Sequence, residues 1–494
     1  MKYTRFFNRG LVDTSSLRED TIYMRGSYKE AIKKELTEGD VQGLSTEQIK
    51  EKALLLGATV QEFDQAESEY TNGKKDKKLK KLLTLDLTVH LVLLLIISVL
   101  AITFYSTMET KNILLNSALP LIKNKETVTL VQPVYAKAVE IAQEDIFDSE
   151  PSPITLTFSG KPTKEIYGFL PYWMIENHSI IPIESITTLS LFGIDVGHKG
   201  DILTTGPEGE RNNGWEMYNS NAFEDVITRA KDKNVHTELT FKAFSNTTID
   251  SLTQDDQAQA VFIANALHLI QSKSIDGINL DFEYYGLPPQ TVREGFTRLV
   301  RNLRLEMLKE IPHGKLTLST YINEAAVSGL VDITAVQDSV DSFVVMGYDF
   351  HTPSGSPGPI APLDGQLSLT GLIQSYLEKI PSEKIILAVG YYGYDWDLNG
   401  NSRSDHKVYP YAKVLQLSKD HALNWNETSQ TPSFRYKDTE TATEREVHFE
   451  NVRSLGQKYD FILKKNLKGV GIWALGYDGE HKELYSLLQQ KFTQ

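Results

Sequence analysis

From residue 161 to the C-terminus, short apolar runs alternate with longer amphipathic ones. Eight runs read as strands: EIYGFLPYW (165–173), SITTLSLFGI (185–194), VHTELTFKA (235–243), IDGINLDFE (275–283), KLTLSTYI (315–322), DSFVVMGYD (341–349), KIILAVGYYG (384–393) and GVGIWALG (469–476). Between them, stretches such as QAQAVFIANALHLIQSK (257–273) and TVREGFTRLVRNLRLEMLKEI (291–311) carry the helical period. Strands alternating with helices over a span of this size predict an α/β chain, a (β/α)8 TIM barrel over 161–494. The stretch 394–468 is too long for one crossover and predicts a small α+β insertion after strand 7, about 397–455. A doubly wound open sheet competes, but no Gly-rich phosphate turn follows the first strand.

A different pattern occupies residues 74–106, KKDKKLKKLLTLDLTVHLVLLLIISVLAITFYS. Its apolar part is long enough to cross a hydrocarbon core, which takes roughly 20 residues. Asp86 and His90 interrupt its first third, and six lysines between Lys74 and Lys81 abut its N-terminal side. The positive-inside rule then predicts a single-pass signal-anchor in the cell membrane, with residues 1–73 cytoplasmic and the barrel extracytoplasmic. A cleaved signal peptide would place its apolar region nearer the start. The first 73 residues read as mostly helical, with an apolar stripe over 44–70 that would suit either a cytoplasmic protein partner or a plain soluble helix. Residues 107–160 read as a stalk.

Charge narrows the class. The 494 residues carry 51 Lys+Arg against 65 Asp+Glu, a net −14 with histidine neutral, which argues against a nucleic-acid partner. There are no cysteines, so disulfides, thiolate catalysis and Cys-ligated zinc are excluded. The 11 histidines show no ligand spacing, so neither a metal nor another cofactor is expected.

The chemistry concentrates in the fourth run. Read with a two-residue period, Ile278, Leu280 and Phe282 fall on one face and Asn279, Asp281 and Glu283 on the other. Burying such a face costs several kcal/mol unless its groups are paired or used. In a barrel, catalytic residues stand at the C-terminal ends of strands, where Glu283 falls, with the Asp281 Cα about 6.5–7 Å below it. A structural ion pair at a strand end would use the same residues, and the pattern alone leaves both readings open.

Three motifs reduce that ambiguity. DGINLDFE (276–283) closely resembles the DxxDxDxE signature of family 18 glycoside hydrolases, the chitinase-like enzymes, with Asn279 standing where Asp is usual. MGYD (346–349) resembles the family's M-x-Y-D motif, and GIWALG (471–476) the strand that carries its tryptophan floor. The departure at Asn279, with VGYYGYDWD (389–397) and VHFENVRS (447–454), is most similar to the bacterial branch acting on cell-wall and spore-cortex glycans.

The resemblance implies a retaining, substrate-assisted hydrolase of N-acetylglucosamine-containing polysaccharides, peptidoglycan or chitin-like. Glu283, Asp281 and Tyr348 would be catalytic, and Trp473 would stack under the sugar. Asn279, Asp276 and Asp349 would support the substrate site, Asn279 through a hydrogen bond to Asp281. Tyr172 and Trp173, ending the first strand, are candidates to line the sugar subsite, with core packing as the alternative, and Tyr391, following the seventh, is a candidate to border the cleft. A non-catalytic glycan-binding receptor or envelope scaffold on the same barrel is the competing function. Because Asn279 removes one acid beside a coupled pair, Asn279→Asp is expected to shift the pH optimum without abolishing turnover. A pH–rate profile identical to the parent's would refute this.

Overall fold

The structure is a computed structural model that describes residues 45–46, 50, 64–71, 160–206, 208–399 and 406–494. The expected membrane segment at 74–106 and the stalk up to residue 159 lie outside the described residues, as does most of 1–73. Residues 64–71 are helical, and among the described residues no helix is long and apolar enough to cross a membrane.

The eight runs form strands β1 (Glu165–Pro171), β2 (Thr188–Asp195), β3 (His236–Ala243), β4 (Gly277–Phe282), β5 (Lys315–Tyr321), β6 (Ser342–Met346), β7 (Ile385–Gly390) and, after an insertion, β13 (Gly469–Trp473). All pair in parallel and close into a barrel in the order β1-β13-β7-β6-β5-β4-β3-β2. Two long crossover helices, Asp256–Ser272 and Gln290–Glu310, lie one residue from their expected bounds. The first is capped by Asp255, whose Oδ1 accepts from the Gln257 and Ala258 amides and so satisfies donors that the helix leaves open.

The alternation read in β4 has a direct spatial meaning. Phe282 packs outward between Phe262 and Phe296 of the flanking helices, at centroid distances of 5.9 and 5.6 Å. Asn279 and Asp281 point into the barrel with Glu238, Thr240 and Lys242 of β3 and Thr317 and Ser319 of β5, all buried. The opposite side of the interior is apolar, built from Tyr167, Phe169, Phe192, Val344, Ile386 and Ala388. Half of the barrel lumen is therefore wet chemistry and half is oil.

After β7 the chain does not enter a helix. Tyr391 leads directly into β8 (Tyr392–Asp397), so the run read as one strand to residue 393 is two. With β9 (Lys407–Pro410), β10 (Asn424–Asn426), β11 (Thr431–Lys437) and β12 (Glu444–Phe449), β8 forms a separate antiparallel sheet ordered β10-β11-β12-β8-β9. Gly393 allows the close approach to β12, since an added Cβ would lie 2.6 Å from that of Phe449.

The return to the barrel is fixed by an ion pair with no solvent exposure. Lys458 donates to Glu450 Oε2 at 2.7 Å, and the Ser454 hydroxyl donates to the same oxygen at 2.7 Å. Burial pushes the Lys458 ammonium down and the Glu450 carboxyl up from their ordinary values. Lys458→Met would strand Glu450 as an unpaired buried acid and is expected to cost about 3–5 kcal/mol, read as a lower urea midpoint. Replacing both partners with methionine should recover most of that loss.

Candidate active site

Glu283 follows directly on the last residue of β4, and its amide donates to the Ala243 carbonyl at 2.9 Å, which fixes the strand end at the barrel mouth. Its side chain is only 7% exposed and Asp281, one inward position below, 5%. Burial raises both carboxyls, Asp281 to about 7 and Glu283 well above its ordinary value, with the neighbouring Asp281 adding to the rise at Glu283. One proton at least therefore stays on the pair through neutral pH. Asp281 Oδ1 is buried without a hydrogen-bond partner.

The surrounding strands supply three groups that the motif reading did not single out. The Tyr321 hydroxyl, at the end of β5, donates to Glu283 Oε2 at 2.7 Å. Lys242 of β3 stands opposite Asp281 in register, and its charge opposes the upward shift of both acids. It is ion-paired with Asp195 at the end of β2, and Asp195 is itself held by Asn212 at 2.9 Å. The Lys242 stem lies against Gly193, where a Cβ would come within 3.1 Å of its Cδ. A signal for these residues was present in the sequence. VHTELTFKA and KLTLSTY alternate polar and apolar residues just as β4 does, placing Glu238, Thr240 and Lys242, then Thr317, Ser319 and Tyr321, at inward parity.

Tyr348 follows β6 and stacks edge-on against Tyr392 at 6.1 Å. Burial and the charges of Asp281, Asp349 and Glu283 hold its hydroxyl protonated far above the ordinary phenol range. Asp349 adopts a φ of 60°, a left-handed conformation that Asp enters more readily than most residues. Its Oδ1 accepts from the Tyr392 and Tyr394 hydroxyls, so it ties the loop after β6 to the insertion sheet. Trp473 ends β13 with its ring half-buried, edge-on to Phe192 at 4.8 Å, Phe169 at 5.6 Å and Trp173 at 6.2 Å. Trp173 donates to the Tyr477 hydroxyl at 3.2 Å, and Tyr172 stands edge-on to it at 4.6 Å. Glu283, Asp281, Tyr348, Trp473, Trp173 and Asp349 thus converge on the barrel mouth, and Tyr172 lies at its rim.

Three expected site residues do not join them. Asp276 sits at the foot of β4, five residues or about 16 Å of strand rise from Asp281, where its carboxylate accepts from the Thr237 amide and hydroxyl. Tyr391 is wholly buried and shares a 2.9 Å hydrogen bond with Tyr459, so it is core rather than cleft. Asn279 is also wholly buried, below the mouth. Its amide donates to Thr317 at 2.9 Å and its carbonyl oxygen accepts from Ser319 at 3.2 Å, so β5, and not Asp281, takes up its polar atoms.

Lys242→Met removes the one cation that, among the described residues, faces both acids, and should raise both titrations together. Both limbs of a pH–rate profile on N-acetylated chito-oligosaccharides are then expected to move to higher pH by roughly one unit. A uniform loss of rate with the limbs in place would assign Lys242 to packing alone.

The model for glycosyl hydrolases family 18 matches residues 166–478. A cortical fragment-lytic enzyme of Bacillus subtilis is 28% identical over 250 residues, covering 49% of this chain and 56% of the relative. A di-N-acetylchitobiase of Rattus norvegicus is 26% identical over 240 residues, covering 44% and 64%. The chain thus spans a little over half the length of these curated relatives. Among solved structures, a Bacillus cereus spore cortex-lytic enzyme aligns with a TM-score of 0.55 at 20% identity, over 69% of this chain and 77% of the other. A Cycas revoluta chitinase in complex with (GlcNAc)3 aligns at 0.57 and 21%, over 66% and 99%. These two likenesses are of fold. The family model covers well over half of the chain, and with it the acid-bearing strand, the tyrosine loop and the tryptophan strand: the chain belongs to glycosyl hydrolases family 18.

Proposed function

We propose that the barrel hydrolyses β-linked N-acetylglucosamine glycans with retention, the substrate's own acetamido group acting as nucleophile. The observation that carries this reading is the buried Asp281–Glu283 pair, whose raised titration keeps a proton available at neutral pH. Glu283 donates that proton to the glycosidic oxygen. The acetamido carbonyl oxygen attacks the anomeric carbon and closes an oxazolinium ion. Asp281, whose Oδ1 lacks a partner, accepts the acetamido N–H and offsets the developing positive charge. Tyr348 donates to the acetamido oxygen and holds it near attack geometry, and Trp473 stacks beneath the ring. Glu283 then deprotonates the water that opens the intermediate.

Relatives named for cortical fragments and for chitobiose support a peptidoglycan or chitin-like backbone. The lysine-flanked segment 74–106 supports a second part of the proposal: a single-pass anchor holding the barrel on the extracytoplasmic side, near the cell's own wall glycans. Residues 1–73 would then face the cytoplasm and be open to a protein partner there.

The full chain, solubilised in detergent, and its Glu283→Gln variant should be incubated with N-acetylated chito-oligosaccharides and with purified peptidoglycan, and the products read by mass spectrometry. Cleavage by the parent and at least a hundredfold less by the variant is expected. Retention of glycan by both proteins without cleavage would instead make the barrel a glycan receptor.

A further inference from the structure

A phenol at the end of β5 touches the acid that the reaction uses, and its backbone is held from two sides. Tyr321 is the last residue of β5 and is still paired in register with Met346 of β6. Its carbonyl oxygen accepts from the Tyr376 hydroxyl at 2.5 Å and from the Glu324 amide at 3.0 Å. Tyr376 is wholly buried on the helix Leu369–Leu377, with Thr320 Oγ1 2.9 Å from the same hydroxyl. Glu324 is fixed in turn, because its Oε1 accepts from the Val331 amide at 2.6 Å. From this anchored position the Tyr321 hydroxyl donates to Glu283 Oε2 at 2.7 Å.

That contact distinguishes the two oxygens of the acid. A hydroxyl donates to the carbonyl oxygen of a carboxylic acid, since the oxygen that bears the proton is the poorer acceptor. With Oε2 taken as acceptor, the proton resides on Oε1. When Glu283 gives that proton to the glycosidic oxygen it becomes a carboxylate, and the Tyr321 contact becomes a charge-assisted hydrogen bond, roughly twice as strong as a neutral one. The gain comes only as the proton leaves, which is where an interaction lowers the barrier. The electron pair of the broken C–O bond stays on the departing oxygen. A lone pair of the acetamido oxygen makes the new bond to the anomeric carbon, and the Tyr321 proton stays on Tyr321.

We propose that Tyr321 is a positioning residue for the hydrolysis: it places the acid proton of Glu283 on Oε1 and stabilises the carboxylate left when that proton is transferred. This rests on the hydrolase reading above. Glu283 is faced by Asp281 of its own strand, Lys242 of β3, Tyr321 of β5, and Tyr348 and Asp349 after β6. The two aspartates raise its titration, while Lys242 and Tyr321 oppose the rise. Lys242 acts on both acids and Tyr321 on Glu283, so the two effects are separable.

Tyr321→Phe keeps the ring and removes the donor. In the full chain, solubilised in detergent, kcat/KM on N-acetylated chito-oligosaccharides is expected to fall roughly tenfold. The basic limb of its pH profile should move up by about one unit with the acid limb in place. A dinitrophenolate departs without needing a proton, so on a dinitrophenyl chitobioside the variant should match the parent within about twofold. Independently of turnover, the infrared band of the protonated Glu283 carboxyl, identified by its loss in Glu283→Gln, should persist to higher pH in Tyr321→Phe than in the parent.

A basic limb and a band that stay in place would overturn the proposal. So would their movement to lower pH, which would make Glu283 the donor and Tyr321 the acceptor. An equal loss on the two substrates would also overturn it, by assigning Tyr321 to packing alone. A parent that cleaves no glycan, with the band displaced upward in Tyr321→Phe, would uphold the hydrogen bond and remove the hydrolase reading instead.

Discussion

Two carboxyl groups two residues apart on one buried strand cannot both be ionised without strong compensation, and the barrel mouth is arranged around that constraint. Asp281 and Glu283 are each less than a tenth exposed, and both titrate upward. What surrounds them limits the shift without neutralising it. Lys242 brings one positive charge close, but Asp195 already claims part of it. Tyr321 gives Glu283 a single donor. The result is a pair that gives up a proton in the neutral range instead of an ordinary acid that has lost it by pH 5.

The division of the barrel interior follows from the same constraint. Strands β3, β4 and β5 send polar side chains inward and β2 adds Ser190, which shares a 2.7 Å hydrogen bond with Thr240, while β6 and β7, with Phe169 of β1 and Phe192 of β2, line the other side with mostly aromatic and aliphatic groups. Buried polar groups are tolerable only when linked, and Tyr167, Glu238, Thr317, Asn279 and Ser319 form one connected set below the acids. The apolar half supports Trp473 and Trp173 edge-on.

The insertion takes part in the site from a distance. Its first strand, β8, carries Tyr392 and Tyr394, which hold Asp349 and with it the loop bearing Tyr348. The same sheet is pinned by Arg445, whose Nε donates to Asp395 Oδ1 at 2.9 Å, and by Tyr436, which donates to Asp395 Oδ2 at 2.8 Å. Loosening the sheet would therefore be felt at the tyrosine over the acids through two hydroxyls on one carboxylate.

Much of this was legible in the sequence, for a physical reason. A strand buried on one face against helices and on the other against a lumen must alternate, so the period located all eight barrel strands and put Asp281 and Glu283 on one inward face. What parity cannot carry is depth along the barrel or the identity of a neighbour on another strand. Asp276 belongs to the same motif as Glu283, yet it lies at the opposite end of β4, and Tyr391 adjoins a cleft strand but points into the core. The donation from Asn279 to Thr317, the opposition of Lys242 to Asp281 and the grip of Tyr392 on Asp349 join residues 38 or more positions apart. Chain spacing sets which face a side chain takes; only the closed register of parallel strands decides whom it meets there.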